Sequence, residues 1–122
     1  ENRLKSLKKI NSYLNKNCPL YLDLFSLNNK NEWGPHATMA FEENNLGKHG
    51  YEKGDVFYKK RGFSELAFLH YFELNEIKTL LAKTGFKIEW VKNIGYSRNP
   101  GKIVDSEKEG NFLIKAIKTM SN

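Results

Sequence analysis

The run Leu20-Tyr21-Leu22-Asp23-Leu24-Phe25 decides how the chain is read. Extended, it carries apolar groups on both faces, with Asp23 the one charged exception. Such a run suits a parallel strand covered on both sides. Immediately upstream, Leu4, Leu7, Ile10 and Leu14 recur every three or four residues, while Lys5, Lys8, Lys9 and Lys16 fall elsewhere. That spacing predicts an amphipathic helix over residues 2–15, ended by Asn17 and Pro19. A helix leading at once into such a strand is half of a βαβ unit, whose first strand would lie upstream of Glu1. The chain opens on Glu1 and not on Met, which fits the same expectation of a piece cut from something longer.

Downstream, residues 26–54 are rich in Asn, Glu, Gly and Lys and carry Trp33, His36, Met39, Phe41 and Tyr51. A segment this long is unusual as a plain connection. It reads as a cover over a site, with room for short helical turns. Asp55–Lys60 and Leu66–Phe72 read as strands joined through the hairpin loop Arg61-Gly62-Phe63-Ser64. Leu74, Ile77, Leu80 and Leu81 mark a helix with Glu73 at its cap, Glu76 at its third position and Gly85 as a left-handed stop. Phe86, Ile88 and Trp90 alternate with Lys87 and Glu89, the pattern of a strand with one wetter face. A polar loop from Gly95 to Gly110 leads to the last strand, Phe112–Lys118. No helix separates these last two strands, so they are expected to pair antiparallel.

A chain of 122 residues suits one domain, residues 1–122, with residues 26–72 as an insert carrying the hairpin. Eight Phe, six Tyr and two Trp supply a core, so the composition is globular and not disordered. The longest apolar runs, Leu66–Phe72 and Phe112–Ile117, contain His70 and Lys115 and are far too short to span a membrane. No apolar signal core is visible. Cys18 stands alone, so no disulfide can form within the chain, and a cytoplasmic location is expected. The net charge of +6 is compatible with a nucleic-acid partner. The lysines are spread along the chain, however, and no basic block interleaved with aromatics appears. A solvated lysine-rich surface is the simpler reading.

The order of these elements resembles the second half of the class I S-adenosylmethionine-dependent methyltransferases. The first helix and Leu20–Phe25 are similar to the helix and fifth strand of that family. His70-Tyr71-Phe72-Glu73-Leu74-Asn75-Glu76-Ile77, continuing through Leu80-Leu81 to Thr84-Gly85-Phe86, resembles its aromatic–helix–Gly–Phe phrase before the sixth strand. Asn111-Phe112-Leu113-Ile114-Lys115-Ala116-Ile117-Lys118 resembles its seventh strand, which inserts antiparallel. The resemblance covers nearly the whole chain. It implies an α/β fold: a partial Rossmann-like sheet, strands five to seven, with a lid and hairpin insert. It also implies S-adenosylmethionine as cofactor of the complete enzyme. The Gly-rich turn that holds this cofactor in the family has no counterpart here, because none of the scattered glycines forms GxGxG between a strand and a helix. No residue of the chain is therefore expected to bind the cofactor.

In that family the loop after the fifth strand and the insert beyond it face the substrate, as ligands do beyond the carboxyl ends of parallel strands. Asp23, Phe25, Ser26 and Trp33 are thus candidate substrate-binding residues. His36 is the candidate base, set beyond a sharp Gly34-Pro35 turn. Trp33 suits stacking on a planar substrate, although packing is the commoner role of tryptophan. Tyr58 is expected on the cover, His70 and Tyr71 on opposite faces of one strand, and Arg98 in the last loop within reach of a substrate anion. His36, His49, His70 and Cys18 have no ligand spacing, so no metal is expected. The resemblance implies a methyltransferase part acting on a small molecule. The alternatives are part of a tRNA wobble-uridine methyltransferase or a non-enzymatic basic binding module. The expected partner is the missing N-terminal half or a second copy, through an open edge at Leu20–Phe25.

Overall fold

The computed structural model describes residues 2–119. Its centre is the last strand. Helix α1 (Asn2–Tyr13) leads into strand β1 (Pro19–Leu24), then helix α2 (Gly34–Glu43), a 3-10 turn at Leu46–His49, and the hairpin β2 (Asp55–Lys59) and β3 (Leu66–His70). Helix α3 (Leu74–Lys83), β4 (Phe86–Ile94), β5 (Ile103–Val104) and β6 (Asn111–Lys118) follow. The main sheet has the order β1-β6-β4-β5, and β2-β3 forms a second sheet of its own. β6 runs antiparallel to β1 and to β4, so β1 and β4 point the same way. Phe112, Ile114 and Ala116 of β6 point to one face, where they pack with Leu7 of α1, Ile77 and Leu81 of α3, and Phe86. The opposite face is wet.

β1 differs from the doubly covered parallel strand read from its sequence. It is extended, but its ladder is antiparallel and its residues alternate between exposed and half-buried. Leu20, Leu22 and Leu24 pack on the core. Tyr21 is 57% exposed and rests 6.2 Å from Trp90, with the Lys115 ammonium 6.0 Å from its ring. An aromatic platform thus takes the place of a second helix layer. Among the described residues no strand flanks the far side of β1, which makes it a sheet edge.

β4 also departs from simple alternation. A bulge between Ile88 and Trp90 lets Ile88 pair with Ala116 and Trp90 with Lys115. The extra residue, Glu89, shifts everything after it to the other face. Ile88 and Val91 therefore pack on the core, and Trp90 moves out to Tyr21. The polar loop 95–110 contains the short strand β5, paired with the end of β4. In α3, Glu73 occupies the cap position, yet its side chain makes no capping bond. It pairs with Lys53 instead, and the Glu76 carboxylate goes to His70 and Arg3. Gly85 ends the helix with φ of 83°, as its sequence position predicts.

Lys118 is nearly buried, at 7% exposure. Its ammonium donates to the carbonyls of Asn11 and Leu14 at 2.8 and 2.7 Å, a cation placed where the carbonyl end of α1 favours one. The segment 26–72 leaves and returns at one place. The Phe72 N–H donates to the Phe25 carbonyl at 2.8 Å, and the Leu27 N–H donates to the Phe72 carbonyl at 2.9 Å.

Candidate functional site

Gly34 starts α2 hard against the preceding loop. A Cβ there would fall onto the Leu27 carbonyl oxygen, so only glycine lets the helix begin at this point. Pro35 follows within the first turn, where its missing N–H costs nothing. The helix so placed turns His36, Ala37 and Ala40 toward Val56 and Tyr58 of β2, across an open cleft of about 480 Å³. Trp33 stands at the mouth, 51% exposed, and meets Tyr58 edge-on at 5.5 Å. A cleft of this size and apolar lining suits a small planar molecule. His36, itself exposed, is the histidine among its lining residues.

A second aromatic group lies beyond the carboxyl end of β1. Phe25 stacks on Tyr71 at 4.9 Å and 17°, and meets Tyr96 edge-on at 5.2 Å. Phe25, Tyr96, Asp23 and Asn111 surround a smaller hollow of about 230 Å³. The two groups meet at Tyr71, which is 2% exposed. Burial pushes its hydroxyl pKa up, against a hydrogen bond from the Trp33 backbone, and the nearby Glu32, Tyr96 and Tyr58 add to the rise.

The candidate residues thus divide. Trp33, His36 and Tyr58 share the cleft, and Asp23 and Phe25 share the hollow. Ser26 is fully buried; its N–H donates to Asn111 Oδ1 at 3.1 Å and its hydroxyl to the Glu107 carbonyl at 3.2 Å. Asn29 donates to the same Asn111 oxygen at 3.0 Å, so Ser26 belongs to a buried polar clasp between two loops. Arg98 lies in an exposed turn and lines neither space.

His70 does not line the cleft but bonds Asp55, which does, and belongs to a network of residues far apart in the chain. Its Nδ1 lies 2.7 Å from Asp55 and its Nε2 lies 3.0 Å from both Glu76 oxygens. Its side chain is 5% exposed. Burial pushes the imidazole pKa down, but the hydrogen bonds to Glu76 and Asp55 outweigh burial and leave it above its ordinary value. Arg3 of α1 pairs with Glu52 and Glu76 and stacks over Phe72 at 5.7 Å. Glu52, His70 and Glu76 bring ligand-type atoms within 4.8 Å of one another. No ligand spacing in the sequence announces that grouping, and Arg3 already supplies the positive charge the two glutamates face.

No protein-family model matches the chain, and no curated protein matches it in sequence. A crystal structure of SAM-dependent methyltransferases from Methanosarcina mazei superposes on it with a TM-score of 0.67 and 19% identity. The superposition covers 98% of this chain and 52% of that one. The fold is methyltransferase-like. The chain spans about half the length of that structural relative, and no described helix is long and apolar enough to cross a membrane.

Proposed function

We propose that this chain is the substrate-side, C-terminal part of an S-adenosylmethionine-dependent methyltransferase acting on a small planar molecule. The observation that carries the reading is the placement of β6 antiparallel between β1 and β4. On this reading β1, β4 and β6 are strands five, six and seven of the family's sheet, and the likeness in shape to the archaeal structure supports it. The unpaired edge of β1 is where the fourth strand of the complete sheet would add, from the missing half or a second copy. An apolar groove of about 250 Å³ between α1 and β1, lined by Leu7, Leu22 and Leu24, would be covered by the same partner.

Methyl transfer chiefly requires holding a nucleophile in line with the methyl carbon, with a base where the nucleophile must lose a proton. When bound to the complete enzyme, S-adenosylmethionine supplies the electrophilic methyl group. Trp33 and Tyr58 would hold the substrate ring, and His36 would accept a proton from its nucleophilic atom. The Phe25, Tyr71 and Tyr96 group would form the floor toward β1. Isothermal titration calorimetry tests the proposal. The chain alone is expected to give no heat with S-adenosylmethionine. The protein extended by the reading frame upstream of Glu1 is expected to bind it. Tight binding by the chain alone, or an upstream frame without a Gly-rich strand-turn-helix, would overturn the assignment.

A further inference from the structure

Five large apolar side chains lie exposed on or beside one hairpin: Tyr51, Phe57, Phe63, Leu66 and Phe68, at 42%, 44%, 59%, 67% and 50%. Single exposed apolar residues are ordinary, but a contiguous group marks an interaction surface. Phe57 and Phe68 are direct cross-strand partners, with ring centroids 5.2 Å apart. Tyr51 extends the row at 5.2 Å from Phe57. The result is a ladder of three rings along β2-β3, and its middle ring, Phe57, also borders the cleft walled by Val56 and Tyr58.

The charges at one end of this ladder are mostly basic. Lys59 lies opposite Leu66, Lys60 reaches over Phe63 at 5.2 Å, and Arg61 follows in the exposed turn. Glu65, also exposed, is the acidic residue between that turn and β3. The acidic residues at the other end are engaged elsewhere: Glu52 by Arg3, Asp55 by His70 and Glu73 by Lys53. Protein interfaces deplete lysine around their aromatic centres. A row of exposed rings ending in three consecutive cations has the chemistry of a stacking platform beside a phosphate track.

We infer that this ladder along the β2-β3 hairpin docks single-stranded nucleic acid, with bases on Tyr51, Phe57 and Phe68 and phosphates at Lys59, Lys60 and Arg61. The inference rests on the hairpin alone and stands or falls separately from the methyl-transfer reading. In the sequence the pattern is hidden, because the ladder is assembled from β2, β3 and the turn before them.

Fluorescence anisotropy with the 122-residue chain and a labelled oligouridylate of about 12 nucleotides tests it. Binding is expected, with a duplex of equal length bound at least about tenfold more weakly because its bases are not free to stack. Three phosphate contacts predict a log–log salt slope of about −2. Phe57→Ala and Phe68→Ala should each weaken binding roughly tenfold with the slope unchanged. The triple change Lys59→Ser, Lys60→Ser, Arg61→Ser should flatten the slope, and it touches no packed residue, so it serves even if a ring variant misfolds. Absence of binding, equal binding of duplex, or indifference to both sets of variants would overturn the inference. So would a self-association in sedimentation that Phe57→Ala abolishes while oligouridylate goes unbound, since the patch would then be a contact between copies.

Discussion

Replacing His70 by alanine should destabilise the chain in a pH-dependent manner whose sign follows from the geometry. Both ring nitrogens face carboxylates: Nδ1 faces Asp55 at 2.7 Å and Nε2 faces Glu76 at 3.0 Å. Neutral imidazole has one N–H, so it would present a lone pair to one of them. The protonated ring donates to both. Asp55 keeps one bond without His70, from the Glu52 N–H at 2.9 Å, and Glu76 keeps Arg3. The loss therefore belongs at the lower end of what breaking a buried ion pair costs, about 3 kcal/mol. That corresponds to a fall of roughly 10 °C in Tm for a domain of this size. A raised folded-state pKa stabilises fully below the unfolded value and ceases to do so as pH rises through the folded one. The unfolded reference is 6.5. Thermal melts of both proteins should thus differ most about one unit below that value, and the difference should shrink well above it without vanishing, because the neutral ring still fills its buried site. A difference that stays constant, or widens toward alkaline pH, would refute the doubly donating ring.

Further outcomes follow from other contacts. Lys118→Met removes the ammonium from the Asn11 and Leu14 carbonyls and should cost about 2–3 kcal/mol, read as a lowered urea midpoint with unchanged slope. Gly34→Ala must push the first turn of α2 off Leu27, and the signature is a displaced Trp33 fluorescence spectrum with a lowered Tm. Trp90→Ala should cost only about 1 kcal/mol, against about 3–5 kcal/mol for Phe86→Ala. Equal costs in urea titrations would mean that the bulge at Ile88/Trp90 does not carry Trp90 out of the core.

Those two aromatic residues also mark what the sequence could and could not disclose. Period and punctuation suffice where an element obeys one rule throughout. Leu4, Leu7 and Ile10 announce α1, and Gly85 announces the end of α3. The bulge in β4 is set by the register against β6, a partner more than twenty residues away, so alternation alone puts Trp90 beside Ile88. The outer face of β1 fails for a related reason. Tyr21 reads as a residue to be buried, yet Trp90 and Lys115 shelter it without a covering layer. At the cleft, Trp33-Gly34-Pro35-His36 was legible because a turn, an aromatic and a titratable ring are adjacent in the chain. Tyr58 joins it only through the hairpin's packing. The Arg3, Glu52, Asp55, His70 and Glu76 network joins α1, the long insert and α3, and none of its spacings carries a signal.

That network meets the cleft at one residue, Asp55. One wall of the cleft is α2, fixed at Gly34 against Leu27. The other is β2, whose first residue, Asp55, is held by His70. The Tyr71 N–H reinforces this end by donating to the Gly54 carbonyl at 2.8 Å, and Gly54 has no room for a Cβ beneath Tyr71. The distance between the walls is therefore set from behind β2, by α1 and α3 acting through Arg3 and Glu76. Loosening that tie by deprotonating His70 should let β2 move relative to α2 while the main sheet stays intact. Hydrogen exchange should report it directly: with rising pH, and after correction for the intrinsic rate, protection should fall first in residues 55–59 and 66–70. The amides of β6, hydrogen-bonded on both sides, should keep theirs. Uniform loss across both sheets would mean that the hairpin has no independent freedom and that the cleft is as rigid as the core.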